Sequence, residues 1–192
     1  MQPTIMELAE IAYALSDIFG TDIDLDEQRA AYLLNLFGKV FNNRQRPFKL
    51  TSTVFVEDWN LSRKVFFGPA AALPLEESLY KAWTARDGHP LKGMTGLAWG
   101  DPAIHIHETL SSFGIDFDPM RSSSPDHLAV ILEFVGFLLE TEKFDVVSSF
   151  SIDHLDWLDV ILNRVIDSQL GICVQEPLEA AIALREVIIS LN

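Results

Sequence analysis

The sequence predicts an all-α protein, and three observations carry that prediction. Apolar residues recur at the i, i+3, i+4, i+7 spacing of a helix face in several separate segments. Those segments open on Ser, Thr or Asp and close at Gly or before Pro, the residues that start and stop helices. The one β-branched run, residues 51–56, has no partner strand elsewhere, and a lone strand makes no sheet.

The most apolar segment, residues 121–140, predicts the central helix. Ser124 is placed to cap it, Pro125 suits the first helical position, and Asp126 suits the positive end of the helix dipole. Leu128, Ile131, Leu132, Val135, Leu138 and Leu139 then form the stripe, and only Glu133, Gly136 and Glu140 leave a narrow polar strip. A helix apolar nearly all round belongs inside a bundle.

Elsewhere Thr4 and Glu7 have capping-box spacing ahead of a stripe from Leu8 to Phe19 that stops at Gly20. Asp24 and Glu27 repeat the start signal before a second helix ending near residue 42. Residues 43–50, with Arg44, Arg46, Lys49 and Pro47, predict a basic loop. A third helix is expected over residues 53–67, stopped by Gly68-Pro69, and a short one over 75–85. Residues 86–99 read as a Gly-rich irregular connection. Asp101-Pro102 signals a cap and a first-turn proline for a helix running to Phe113 and closed by Gly114. Ser151 is placed to cap the next helix, and Pro177 to start the last.

At 192 residues the chain fits one domain, residues 1–192, with 48% hydrophobic and 22% charged residues, a globular composition. A net charge of −14 argues against a nucleic-acid partner, whose phosphates need a basic surface. Cys173 is the only cysteine, so an internal disulfide and a cysteine metal site are excluded. The opening residues lack an export-signal pattern, and the apolar run from Leu128 to Leu139 is too short to span a bilayer, so a cytoplasmic location is expected.

Chemical motifs are sparse. No GxSxG elbow surrounds Ser122, Ser123 or Ser124, and neither GxGxxG nor GxxxxGK[ST] occurs, so hydrolase and nucleotide chemistry lack a motif. His105 and Glu108 have i, i+3 spacing, the basis of an alternative reading as a helical metal protein or enzyme. A di-iron bundle, however, needs a second Glu-x-x-His that the chain does not contain. No cofactor is expected.

In order along the chain come Phe66-Phe67-Gly68-Pro69, Glu77-Ser78-Leu79-Tyr80, Gly100-Asp101, Gly114-Ile115 and Ser124-Pro125-Asp126-His127-Leu128, followed by His154-Leu155. Together they resemble the TorD/DmsD family of cytoplasmic chaperones for molybdenum-containing redox enzymes. The resemblance implies a helical bundle without a reaction of its own. It would bind the twin-arginine signal peptide, the body of an apo-molybdopterin oxidoreductase, or both, and hold the client until its cofactor is inserted. It leaves a monomer or a helix-exchanged dimer open. Such a receptor needs carboxylates beside an apolar groove, because arginine's planar fork pairs with carboxylates in two hydrogen bonds. Asp126 is the leading candidate for that contact, with Glu77 and Asp101 behind it. Tyr80, Trp83 and Trp99 are candidates for the apolar wall. Ser124, Pro125 and His127 complete the expected edge of the site.

Overall fold

A computed structural model of the protein describes residues 3–20, 24–41, 51–67, 71–119, 122, 124–168 and 170–191. Among them are eight α-helices: α1 (Ile5–Gly20), α2 (Glu27–Phe41), α3 (Ser52–Ser62), α4 (Asp101–Ser112), α5 (Leu128–Glu140), α6 (Phe144–His154), α7 (Leu158–Asp167) and α8 (Ile172–Ile189). No strand is present among the described residues, only two isolated bridges, Glu76 with His127 and Thr84 with Lys92. The basic loop expected at 43–50 and the Gly68-Pro69 stop lie outside the described residues.

The helix α5 is central, as its apolar pattern requires. Leu128, Ile131, Leu132, Val135, Leu138 and Leu139 are all completely buried. Its main neighbour is α1, which presents Leu8, Ile11, Ala12, Leu15 and Phe19 to the same core. Two glycines set how closely the pair approaches. A Cβ on Gly136 would stand 2.8 Å from the Tyr13 ring, and one on Gly20 would stand 3.1 Å from Ala129 Cβ. Gly136 is therefore buried under Tyr13 rather than part of a solvated strip, and the Tyr13 hydroxyl donates to Glu140 at 2.9 Å. Ser16 adds a buried hydrogen bond from Oγ to the Ala129 carbonyl, 2.8 Å long. At the far end of α1, Phe19 meets Trp59 and Phe66 at centroid distances of 6.5 and 5.9 Å, and Phe55 stacks on Trp59 at 6.2 Å. A single core cluster draws on all eight helices.

The capping box of α1 forms as expected, with Thr4 N donating to Glu7 Oε2 and Glu7 N to Thr4 Oγ1. Other boundaries differ, each for a local reason. The start of α2 is held by Asp26, whose Oδ1 accepts from Arg29 N at 2.7 Å, rather than by Asp24, which pairs with Arg63 at 2.9 Å. The third helix ends at Ser62 and tightens into a 3-10 turn, Arg63–Val65, instead of continuing to Phe67. Gly100 occupies the cap of α4, so Asp101 is its first helical residue. The cap of α5 is His127, whose Nδ1 accepts from Ala129 N at 3.2 Å, and not Ser124. Ser151 lies inside α6, a helix hidden in the sequence because its inward face carries Ser148 and Ser151 among Val147 and Phe150. The last helix begins at Ile172, so Pro177 lies inside it rather than at its start, where its missing N–H removes the bond to the preceding turn and its ring crowds the carbonyl four residues back.

Candidate functional site

The short helix expected over 75–85 is absent, and its replacement organises the site. Only Glu77–Leu79 coils, as a 3-10 turn, because the backbone there is engaged with the start of α5 instead of with itself. Glu77 N donates to the Asp126 carbonyl at 3.0 Å, and Leu128 N donates to the Leu75 carbonyl at 2.8 Å. Between these bonds lies the Asp126 carboxylate, completely buried. Its Oδ2 accepts from both Ser78 N (2.7 Å) and Ser78 Oγ, while Oδ1 accepts from Ser124 Oγ. Ser78 Oγ accepts in turn from Gly100 N at 3.2 Å. A buried carboxylate must have its lone pairs satisfied, and here serine and backbone donors satisfy them.

Gly100 admits no side chain: a Cβ would fall 2.6 Å from the Trp83 carbonyl. That carbonyl accepts from Asp101 N, and the Asp101 carboxylate reaches across to Thr84 Oγ1 at 2.7 Å and Ala85 N at 3.3 Å. Asp101 thus clamps the strap that follows Trp83. Trp83 Nε1 donates to the Ala98 carbonyl and its ring stacks on His89 at 5.3 Å, so the indole lies half-buried against the irregular connection.

Glu77 faces the other way, into a second chain of polar contacts. Its Oε2 lies 2.8 Å from His154 Nδ1, and His154 Nε2 lies 2.8 Å from His105 Nδ1 on α4. Its Oε1 pairs with Lys81 at 2.9 Å, and Lys81 also reaches Asp156 at 2.6 Å. Burial alone would lower the Lys81 pKa, but Glu77 and Asp156 hold it above the ordinary value. His105 therefore pairs with His154, not with Glu108. Among the described residues no three His, Cys, Asp or Glu side chains gather as a metal site. Tyr80 closes this side. Its hydroxyl donates to the Pro74 carbonyl at 2.7 Å, its ring stacks on Trp157 at 5.2 Å, and Arg164 sits over it at 4.9 Å. Burial pushes the phenol up to about 12.

The expected site residues therefore do gather, but in two shells. Glu77, Ser124 and Asp126 are buried and bonded inward, Pro125 is buried beside them, and Tyr80, Trp83 and His127 are half-buried. Asp101 and Trp99 are exposed. Trp99 adopts φ 60° with 48% of its surface exposed, a left-handed conformation that costs a non-glycine residue about 1–2 kcal/mol. Burial holds His127 neutral, pulling its pKa down to about 4 against the opposing charge of Asp126. Sequence reasoning missed Ser78, Lys81 and Gly100 as members. Their signals are faint: a serine inside Glu-Ser-x-Tyr, a lysine four residues after Glu77, and a glycine before a helix.

The polar centre joins four segments of the bundle to one another. The model of the nitrate reductase delta subunit family matches residues 63–168, more than half of the chain, and the protein belongs to that family, the NarJ/TorD chaperones. It is a non-catalytic redox-enzyme maturation chaperone, of a family that binds a molybdoenzyme subunit. No curated protein and no solved structure matches it. Every segment of the polar centre falls inside the matched span. No helix among the described residues is long and apolar enough to cross a membrane.

Proposed function

We propose that the protein is a cytoplasmic, single-domain chaperone that binds the twin-arginine signal peptide, and in part the body, of an apo-molybdopterin oxidoreductase until the cofactor is inserted. The observation that carries this reading is the meeting of four distant segments, 77–80, 100–101, 124–128 and 154–155, in one hydrogen-bonded centre edged by half-exposed aromatics. Within it the roles divide. Asp126, Glu77, Ser124 and Pro125 hold the edge in shape, and Trp99, Trp83 and His127 with the exposed carboxylate of Asp101 meet the client. A strained, exposed tryptophan is the expected signature of a contact residue, since strain in the free protein is tolerated where a bound state uses it.

Apolar burial supplies most of the affinity. A micromolar complex needs about 8 kcal/mol, whereas an exposed ion pair contributes roughly 0–1 kcal/mol. Charge sets orientation and encounter rate. Calorimetric titration with a panel of twin-arginine signal peptides tests the reading, with Trp99→Ala expected to weaken binding about tenfold. No binding across the panel refutes signal-peptide recognition. Capture of a leaderless client then separates recognition of the enzyme body, and size measurement separates a monomer from a helix-exchanged dimer.

A further inference from the structure

Two histidines meet at the outer end of the polar centre, and their contact admits a limited number of protons. His105 lies exposed on α4, whereas His154 closes α6 and is buried. His105 Nδ1 stands 2.8 Å from His154 Nε2, with the ring centroids 4.9 Å apart. On its far side His154 Nδ1 stands 2.8 Å from Oε2 of Glu77, a residue with no exposed surface. Phe150 covers the His154 ring at 4.6 Å, and Trp157 Nε1 donates to the His154 carbonyl, so ring and backbone are both held.

Glu77, paired with Lys81 as a carboxylate, fixes the direction of this chain of bonds. A carboxylate only accepts, so His154 Nδ1 carries a hydrogen and donates it. With no added proton, His154 Nε2 is then a bare acceptor and His105 Nδ1 is the donor. With one, the hydrogen between the rings serves both and the bond becomes charge-assisted. With two, an N–H on each ring faces the other and no hydrogen bond is left. The surrounding charges match the middle case. Lys81 bridges Glu77 and Asp156, and one lysine against two carboxylates leaves one negative charge. From α6, Asp153 turns its carbonyl to Lys81 and is otherwise exposed. From α8, Arg185 is engaged by the Leu155 carbonyl and Asp159. On α4, Asp101 is bonded to Thr84 and Ala85, while His107 and Glu108 are exposed. The α5 carboxylates Glu133 and Glu140 stand beside Tyr13 of α1.

We propose that the His105–His154 contact is a proton-operated latch. It ties α4 to α6 and to the turn at Glu77 while the pair carries at most one added proton, and it opens when both rings are charged. Histidine is the side chain whose charge changes between about pH 5 and 8, so acidification over that range is the trigger. In the unfolded chain each ring takes its own proton, whereas the latched pair takes one. The unfolded state therefore binds more protons in acid, and the stability contributed by the contact falls as pH falls. What the opening frees is α4, whose start at Gly100 and Asp101 holds the strap after Trp83. The latch needs no client to act.

Amide hydrogen exchange of the full chain tests the latch, followed residue by residue from about pH 7.5 to about 5.5 and corrected for the intrinsic rate. Protection of α4, residues 101–112, is expected to drop about tenfold on acidification, the scale of one lost charge-assisted hydrogen bond. His105→Gln keeps a side chain that can bond to His154 and takes up no proton, so its α4 protection is expected to stay level. His107→Gln, on another face of α4, is expected to behave as wild type. His127 and Glu176 also titrate, and their effects cancel when each variant is compared with wild type. Ring-nitrogen resonances of the wild-type protein follow both histidines without any substitution. Loss of α4 protection in step with the second proton supports the latch even where His105→Gln unfolds. Equal loss of protection in wild type and His105→Gln overturns it, as do two charged rings with α4 protection intact.

Discussion

Replacing Asp126 by Asn changes one atom at the centre of the polar junction, and its cost follows from the hydrogen bonds. The carboxylate accepts from three donors, Ser78 N, Ser78 Oγ and Ser124 Oγ, with no exposed surface. Asparagine keeps one acceptor oxygen, which must serve Ser78 N because a backbone N–H has no other orientation. Its amide then faces Ser124 Oγ, whose proton must find another acceptor. The exchange forfeits the charge-assisted character of these bonds and leaves one weak contact, at about 2 kcal/mol. For a chain of this size that lowers Tm by about 4–8 °C. Asp126→Ala orphans all three donors and is expected to cost about 3–5 kcal/mol. Thermal unfolding followed at 222 nm, in parallel with peptide titration, is the assay. If Asp126→Asn keeps the wild-type Tm but loses peptide affinity, the carboxylate meets the client directly and the structural role argued here is wrong.

Three further substitutions probe the rest of the argument. Gly136→Ala would gain about 1 kcal/mol from helix propensity alone, yet its Cβ would meet the Tyr13 ring at 2.8 Å, so a net loss of about 1–2 kcal/mol in chemical denaturation is expected. His127 has a folded pKa of about 4, below its unfolded value, so the stability it contributes is complete above about pH 6.5 and is lost as pH falls towards 4. His127→Asn keeps a capping side chain without the titration, and denaturation midpoints measured across that window should flatten. Glu176 is the opposite case. Burial and the charge of Glu179 raise its pKa to about 7, so folding favours its protonated form and stability declines from about pH 4.5 until the proton is lost near 7. Glu176→Gln should raise Tm by a few degrees at pH 8 and leave it unchanged at pH 4.5.

What the sequence made legible was whatever depends on neighbours in the chain. The Thr4–Glu7 box and the stripe after it specify α1 without outside help, and six leucines, isoleucines and valines at helical spacing specify α5. The failures occur where a distant partner takes the local hydrogen bonds. Residues 75–85 have an ordinary helical composition, but Asp126, forty-eight positions from Ser78, claims the backbone that a helix would use. The same contact moved the cap of α5 from Ser124 to His127, since the Ser124 hydroxyl is already committed to Asp126. Family motifs marked segments that meet in one hydrogen-bonded centre, while which of their side chains are buried required the fold.

The clamp around Gly100 also bears on what happens if the chain is cut. Residues 85–88 are exposed, and the strap is tied on both sides of them, by Trp83 N to the Met94 carbonyl, Gly93 N to the Thr84 carbonyl and Asp101 N to the Trp83 carbonyl. A protease that nicks after Arg86 would sever the covalent link without freeing either end. The two fragments should stay folded together and separate only in denaturant, making the strap a natural position for an inserted tag or a circular permutation.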